Sequence, residues 1–268
     1  MSHETNSLAP EQLTEQQHMA LVDWLTKLAD DEFILGHRDS EWLGLCPTVE
    51  EDVAFSSIAQ DEVGHAAFYY ELIQELEGVS ADYLAFQRPA HERKNSLLVE
   101  RENGDWAYTI VRHYLYDLWD QIRLDAMVKS RYTPLAHGTK KMKREEYYHL
   151  IHFQHWFTRL TGCGGEARER MKQAMEWAEQ DLDDLLDIGL YESDLLSWGI
   201  LTQEPAKMRS EFYSQYEDLW GKISDLSGRR IIFSKQASKG RMGQHSQALA
   251  SALENMTEVI RFDPNAKW

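Results

Sequence analysis

A chain of 268 residues with 43% hydrophobic side chains can bury one large core, and its net charge of −17 argues against nucleic acid or an anionic membrane surface as a partner. No stretch approaches the ~18 uninterrupted apolar residues of a spanning helix, and the polar leading segment MSHETNSLAPEQLTEQQ lacks the basic-then-apolar order of a signal peptide. Cys46 and Cys163 are the only cysteines, which excludes a disulfide framework and a cysteine-based metal site; the expected compartment is the reducing cytoplasm.

Long stripes of 3.6-residue period and few turn signals predict an all-α chain. A first helix is expected from Pro10 to about Leu43, with Leu21, Leu25, Leu28 and Leu35 on its apolar face. After a loop around Gly44 to Pro47, Thr48 and Glu51 form an S/T-x-x-E capping box that opens a second helix, which runs to Glu77 and stops at Gly78. Residues 79–102 read as a mostly irregular crossover. Asp105 is the expected N-cap of a third helix reaching about Ser130, and Pro134 opens a fourth that ends at Gly162. Further helices are expected near Glu166–Ile188, Pro205–Leu226 and Gln244–Ile260, the last preceded by a basic loop from Gly228 to Gly243. No linker or low-complexity tract interrupts this order, so residues 1–268 read as one domain with residues 1–9 flexible.

Six ionisable residues fall on the apolar stripes: Glu32, Glu62, His65, Asp117, Glu146 and His149. Burying a lone carboxylate is expensive, and several together call for a compensating cation. Glu62-x-x-His65 and Glu146-x-x-His149 each put a carboxylate and an imidazole on one helix face. Glu15-x-x-His18 has the same spacing but lies in the polar leading segment, and is discounted.

A geometric test supports the other two pairs. Thirty residues separate Glu32 from Glu62 and 29 separate Asp117 from Glu146. With a rise of about 1.5 Å per residue, each pair meets at one height in an antiparallel hairpin. Two equivalent hairpins, each offering a carboxylate and then Glu-x-x-His, resemble the ferritin-like four-helix bundle with its two-metal cage. Asp120 is the rival for the place of Asp117, and Asp61 and Glu145 are candidates to orient the opposite histidines from behind. The competing reading is a set of core polar residues satisfied by hydrogen bonds. Carboxylates with two imidazoles suit two iron ions, or manganese, better than zinc. No residue is assigned to catalysis.

The stretch Leu28-Ala29-Asp30-Asp31-Glu32-Phe33-Ile34-Leu35-Gly36-His37-Arg38 resembles the C-type subunit of bacterial phenylacetyl-CoA epoxidase. So do Leu97-Leu98-Val99-Glu100, Leu115-Tyr116-Asp117-Leu118-Trp119, Tyr148-His149-Leu150 and Lys239-Gly240-Arg241-Met242-Gly243-Gln244-His245. The resemblance implies a ferritin-like helical fold and a place in a multicomponent monooxygenase that epoxidises the ring of phenylacetyl-CoA. It implies partner subunits, above all the catalytic A-type subunit, and electrons delivered from NADPH by a flavin and iron–sulfur reductase. C-type subunits are structural and have lost several metal ligands. Here Glu32, Asp117 and Gln60-Asp61-Glu62-Val63-Gly64-His65 instead resemble the A-type pattern.

Three readings follow: an epoxidase subunit with an occupied di-iron site, a scaffold subunit with a vestigial site, and a stand-alone ferritin-like di-iron oxidase. The basic loop residues Arg229, Arg230, Lys235, Lys239 and Arg241 are expected either to meet an acidic partner or the phosphates of CoA, or to be plainly solvated.

Overall fold

The structure, a computed structural model, describes residues 13–223 and 239–263. In chain order these form α1 (Glu15–Ser40), α2 (Val49–Glu77), α3 (Leu97–Glu100), α4 (Trp106–Met127), α5 (Thr133–Gly162) and α6 (Gly165–Ala178). There follow α7 (Leu182–Leu185), α8 (Glu192–Ser197), α9 (Pro205–Ile223), α10 (Gln247–Met256) and α11 (Glu258–Phe262). The described residues contain no β-strand, and the chain is all-α. They cluster into two compact units: one takes residues up to Leu21 and then Gly104 to Ile223, the other Val22–Asn103 and the segment from Lys239.

The second of these units is built on the α1/α2 hairpin. Among the described residues α1 begins at Glu15, where Thr14 and Gln17 make a capping box of their own: Thr14 Oγ1 accepts from Gln17 N at 3.3 Å and Thr14 N donates to Gln17 Oε1 at 3.0 Å. Pro10, the expected start, lies outside the described residues, as does the expected flexible segment 1–9. Thr48 caps α2 as expected, its hydroxyl accepting from Glu51 N. Gly78 ends it in the left-handed conformation, φ 71°, and donates to Gln74 O at 2.8 Å. Leu25, Leu28 and Leu35 from α1 are buried, as are Phe55, Ile58, Tyr69 and Leu72 from α2.

At Gly36 the two helices approach closely. A Cβ there would lie 2.9 Å from Glu62 Cβ and 3.1 Å from Ala59 O, so only glycine allows this approach. The crossover after α2 holds a π-helical turn (Tyr83–Gln87), a 3-10 turn (Ala90–Glu92) and α3. Its backbone is fastened to α1 by side chains: Lys94 N donates to Asp30 at 2.8 Å and Ser96 N to Asp31 at 2.7 Å.

The other unit centres on α4. Nearly every residue from Ala107 to Met127 is buried, because α5, α6 and α9 all pack against it. Asp105 caps α4 through Tyr108 N at 3.0 Å, and Pro134 sits in the first turn of α5. Trp119 on α4 meets Phe212 on α9 edge to face, with ring centroids 6.1 Å apart. The helix expected near Glu166–Ile188 breaks after Ala178 into a 3-10 turn and α7. The short helix α8 was not expected, since six residues carry no readable period.

Candidate metal centre

Three consecutive acids on α1 point to three different tasks, since successive helical residues diverge by about 100°. Asp30 is fully buried; it accepts from Tyr70 Oη at 2.6 Å and from Arg88, with Arg93 close by. Burial would raise its pKa, but the charges of Arg88 and Arg93 outweigh that and hold it below the ordinary carboxylate value. Asp31 receives the guanidinium of Arg241, Nη1 at 2.9 Å and Nη2 at 2.8 Å. Glu32 turns toward α2, where His65 Nδ1 lies 3.7 Å from Glu32 Oε2 and 3.8 Å from Glu62 Oε2. Glu32, Glu62 and His65 are all buried, and one ligand-type atom from each lies within 4.8 Å of the others. Glu62 and His65 share a face through their i, i+3 spacing, and Gly36 lets that face close on α1 beside Glu32.

The α4/α5 hairpin repeats the pattern. Asp117, Glu146 and His149 are buried, and His149 Nδ1 lies 3.1 Å from Glu146 Oε1. Burial, helped by the charge of Glu146, raises the Asp117 carboxyl to about 6 against the opposing pull of His113 and His149. Oδ2 of Asp117 is buried with no hydrogen-bond partner among the described residues. Asp120 is held by Arg123 one turn along α4, Nη2 to Oδ1 at 2.7 Å, so the rival to Asp117 is already paired within its own helix.

The donor set fits a cation. Each hairpin presents buried carboxylate oxygens beside an imidazole nitrogen, and the Glu32, Glu62 and His65 cluster is one that could hold a metal ion. Asp61 and Glu145, expected behind the histidines, are half-buried; Glu145 Oε1 lies 3.4 Å from Lys141 Nζ.

The basic loop needs a correction. Arg229, Arg230 and Lys235 lie outside the described residues, and Lys239 is exposed, but Arg241 is buried against Asp31 and is no solvent-facing recognition cation.

The sequence reading missed His113. Its Nδ1 lies 3.4 Å from Asp117 Oδ1, and its ring stacks on Phe153 with centroids 4.2 Å apart and planes 9° from parallel. The available signal is its i, i+4 spacing to Asp117.

The family model described as "Phenylacetic acid catabolic protein" matches residues 4–268. The chain is also similar to the C-type subunit of the 1,2-phenylacetyl-CoA epoxidase of Escherichia coli (strain K12): 28% identical over 249 residues, covering 92% of this chain and 99% of that protein. Among the described residues no helix is long and apolar enough to cross a membrane.

Proposed function

Because the chain belongs to the phenylacetic acid catabolic protein family, we propose that it is one component of a cytoplasmic, multicomponent phenylacetyl-CoA epoxidase, holding two iron ions with Glu32, Glu62, His65, Asp117, Glu146 and His149. The observation that carries this reading is the repeat: each hairpin sets a buried carboxylate beside a buried Glu-x-x-His. Structural polar residues satisfied within one helix have no reason to recur at matched heights in two hairpins.

Bound by these residues, the iron pair would supply redox chemistry with dioxygen, and manganese is the alternative occupant. The chain's own contribution is physical. The buried faces of α2 and α5 exclude water, Gly36 fixes the spacing of Glu62 from α1, and Nδ1 of His65 and His149 is already turned toward the carboxylates. The partners in this reading are the catalytic A-type subunit, the other epoxidase subunits and phenylacetyl-CoA, with reducing equivalents arriving from NADPH through a reductase.

Similarity to a C-type subunit along almost the whole chain favours a second reading, a scaffold that binds metal without turning over substrate. Metal analysis of protein from iron-supplemented cells tests the ligand set. About two metals per chain are expected, and a chain left empty after anaerobic Fe(II) addition overturns it. Glu62→Ala then separates the two roles. Metal loading should fall while complex formation with the A-type subunit persists, since Glu62 is fully buried. Full epoxidase turnover by the reconstituted variant complex would identify a scaffold, and lost turnover a working centre.

A further inference from the structure

Asp117 is held asymmetrically. On α4 its Oδ1 lies 3.4 Å from Nδ1 of His113, one turn earlier on the same face, while Oδ2 is buried without a hydrogen-bond partner among the described residues. The imidazole doing the holding is itself constrained. Both His113 and Asp117 are fully buried, and the His113 ring lies flat on Phe153, four residues beyond His149 on α5. An aspartate is one methylene shorter than a glutamate, so a small rotation of its carboxylate changes which oxygen it presents. A donor on one oxygen stops that rotation.

We propose that His113 is a positioning residue for the metal centre, donating from Nδ1 to Oδ1 of Asp117 so that Oδ2 alone is presented to a metal ion. The inference rests on the proposed ligand set, in which His113 has no place, and goes beyond it: although His113 has a donor atom close enough to Asp117 to share a metal ion, its part here is to decide how Asp117 binds. Groups that orient ligands in this way typically contribute about 10–100-fold in metal affinity. The Phe153 ring completes the device by fixing the plane of the imidazole, and hence the direction of its N–H.

The test uses the full chain titrated anaerobically with Co(II), whose visible absorption reports coordination number and geometry. His113→Leu removes the donor, and His113→Gln supplies a side-chain amide that can still donate. The metal-free melting temperature of each protein is measured alongside. Expected are a roughly tenfold or greater loss of affinity in the Leu variant, an altered Co(II) spectrum at full loading, and substantial recovery of both in the Gln variant. Equal affinity and an identical spectrum for wild type and the Leu variant overturn the inference alone. So does the outright loss of one metal from both variants, which would make His113 a ligand. Should the Leu variant not fold, His113→Phe, which keeps an aromatic ring against Phe153 but has no donor, takes its place beside the Gln variant: weaker binding and an altered spectrum in the Phe variant with recovery in the Gln variant support the inference, and a Phe variant equal to wild type overturns it. A wild-type chain that takes up no Co(II) overturns the ligand set, and this inference with it.

Discussion

Arg241 lays both terminal guanidinium nitrogens on the carboxylate of Asp31, at 2.9 and 2.8 Å, across 210 residues of chain. The same guanidinium donates to Lys94 O at 2.8 Å, so one buried cation ties the C-terminal segment to both α1 and the crossover. Breaking a buried pair from one side leaves an uncompensated charge, which typically costs about 3–5 kcal/mol. Arg241→Met should therefore lower the urea midpoint sharply, and Arg241→Lys should recover only part, since an ammonium cannot grip both oxygens in parallel. A midpoint unchanged by Arg241→Met would show that the pair contributes nothing to stability.

This pair also marks the boundary of what the sequence reveals. The ends of α2 and the starts of α4 and α5 are legible because cap chemistry is local: Thr48, Gly78, Asp105 and Pro134 each act within a few residues. The six candidate ligands are legible because a charged residue on an apolar stripe stands out. The tasks of Asp30 and Asp31 are not, since Arg88 lies 58 residues from the first and Arg241 lies 210 from the second. Both acids lie off the apolar stripe that marks Glu32, so nothing local shows that they are buried as well. His113 escapes for a different reason: α4 is buried on nearly all sides, so it has no polar face against which an inward histidine would look out of place.

Two glycines in the α1/α2 hairpin should respond in opposite directions to the same change. Gly36→Ala gains helix propensity, about 1 kcal/mol, but its Cβ would press on Glu62 Cβ and Ala59 O, neither of which is a flexible side-chain tip. Overpacking of this kind costs about 1–3 kcal/mol and would shift Glu62. Lower stability and weaker metal binding are expected together. Gly64 is exposed, and a Cβ there meets nothing within 4 Å, so Gly64→Ala should stabilise by about 1 kcal/mol. Thermal melts of both variants, with and without Mn(II), check the pair. A Gly36→Ala chain as stable as Gly64→Ala would contradict the close approach.

His245 has an oxygen at each ring nitrogen, Glu100 Oε2 at 2.7 Å from Nδ1 and Arg93 O at 3.0 Å from Nε2, an arrangement that satisfies the doubly protonated ring. Burial alone would push its pKa down, but the hydrogen bond and charge of Glu100, with Arg93 O, hold it above the ordinary value. A raised histidine contributes stability that is complete below its unfolded pKa, about 6.5, and is lost as pH rises through the folded value. His245→Gln should thus cost more at about pH 6 than at about pH 9. Urea denaturation at both pH values checks this, and an equal cost at each would contradict a charged His245.

Asp117 gives a second pH dependence, at lower pH and governed by metal. Its carboxyl ordinarily titrates near 3.8, and burial with the nearby Glu146 charge raises it to about 6 in the native chain. Here the native state holds its proton longer than the unfolded state does. Stability therefore falls as pH rises from about 4 to about 6, and the penalty is complete above that range. This is the reverse of a salt-bridged aspartate such as Asp30, whose pKa is lowered. In chelator the native protein should lose stability across that window, and Asp117→Asn, which carries no titrating group, should lose less. A divalent cation favours the ionised carboxylate, so adding Mn(II) or Fe(II) at neutral pH should raise the melting temperature of the wild type far more than that of the Asn variant. If wild type and Asp117→Asn show parallel stability profiles from pH 4 to 7 in chelator, and equal shifts on adding metal, Asp117 is neither a strained acid nor a metal ligand.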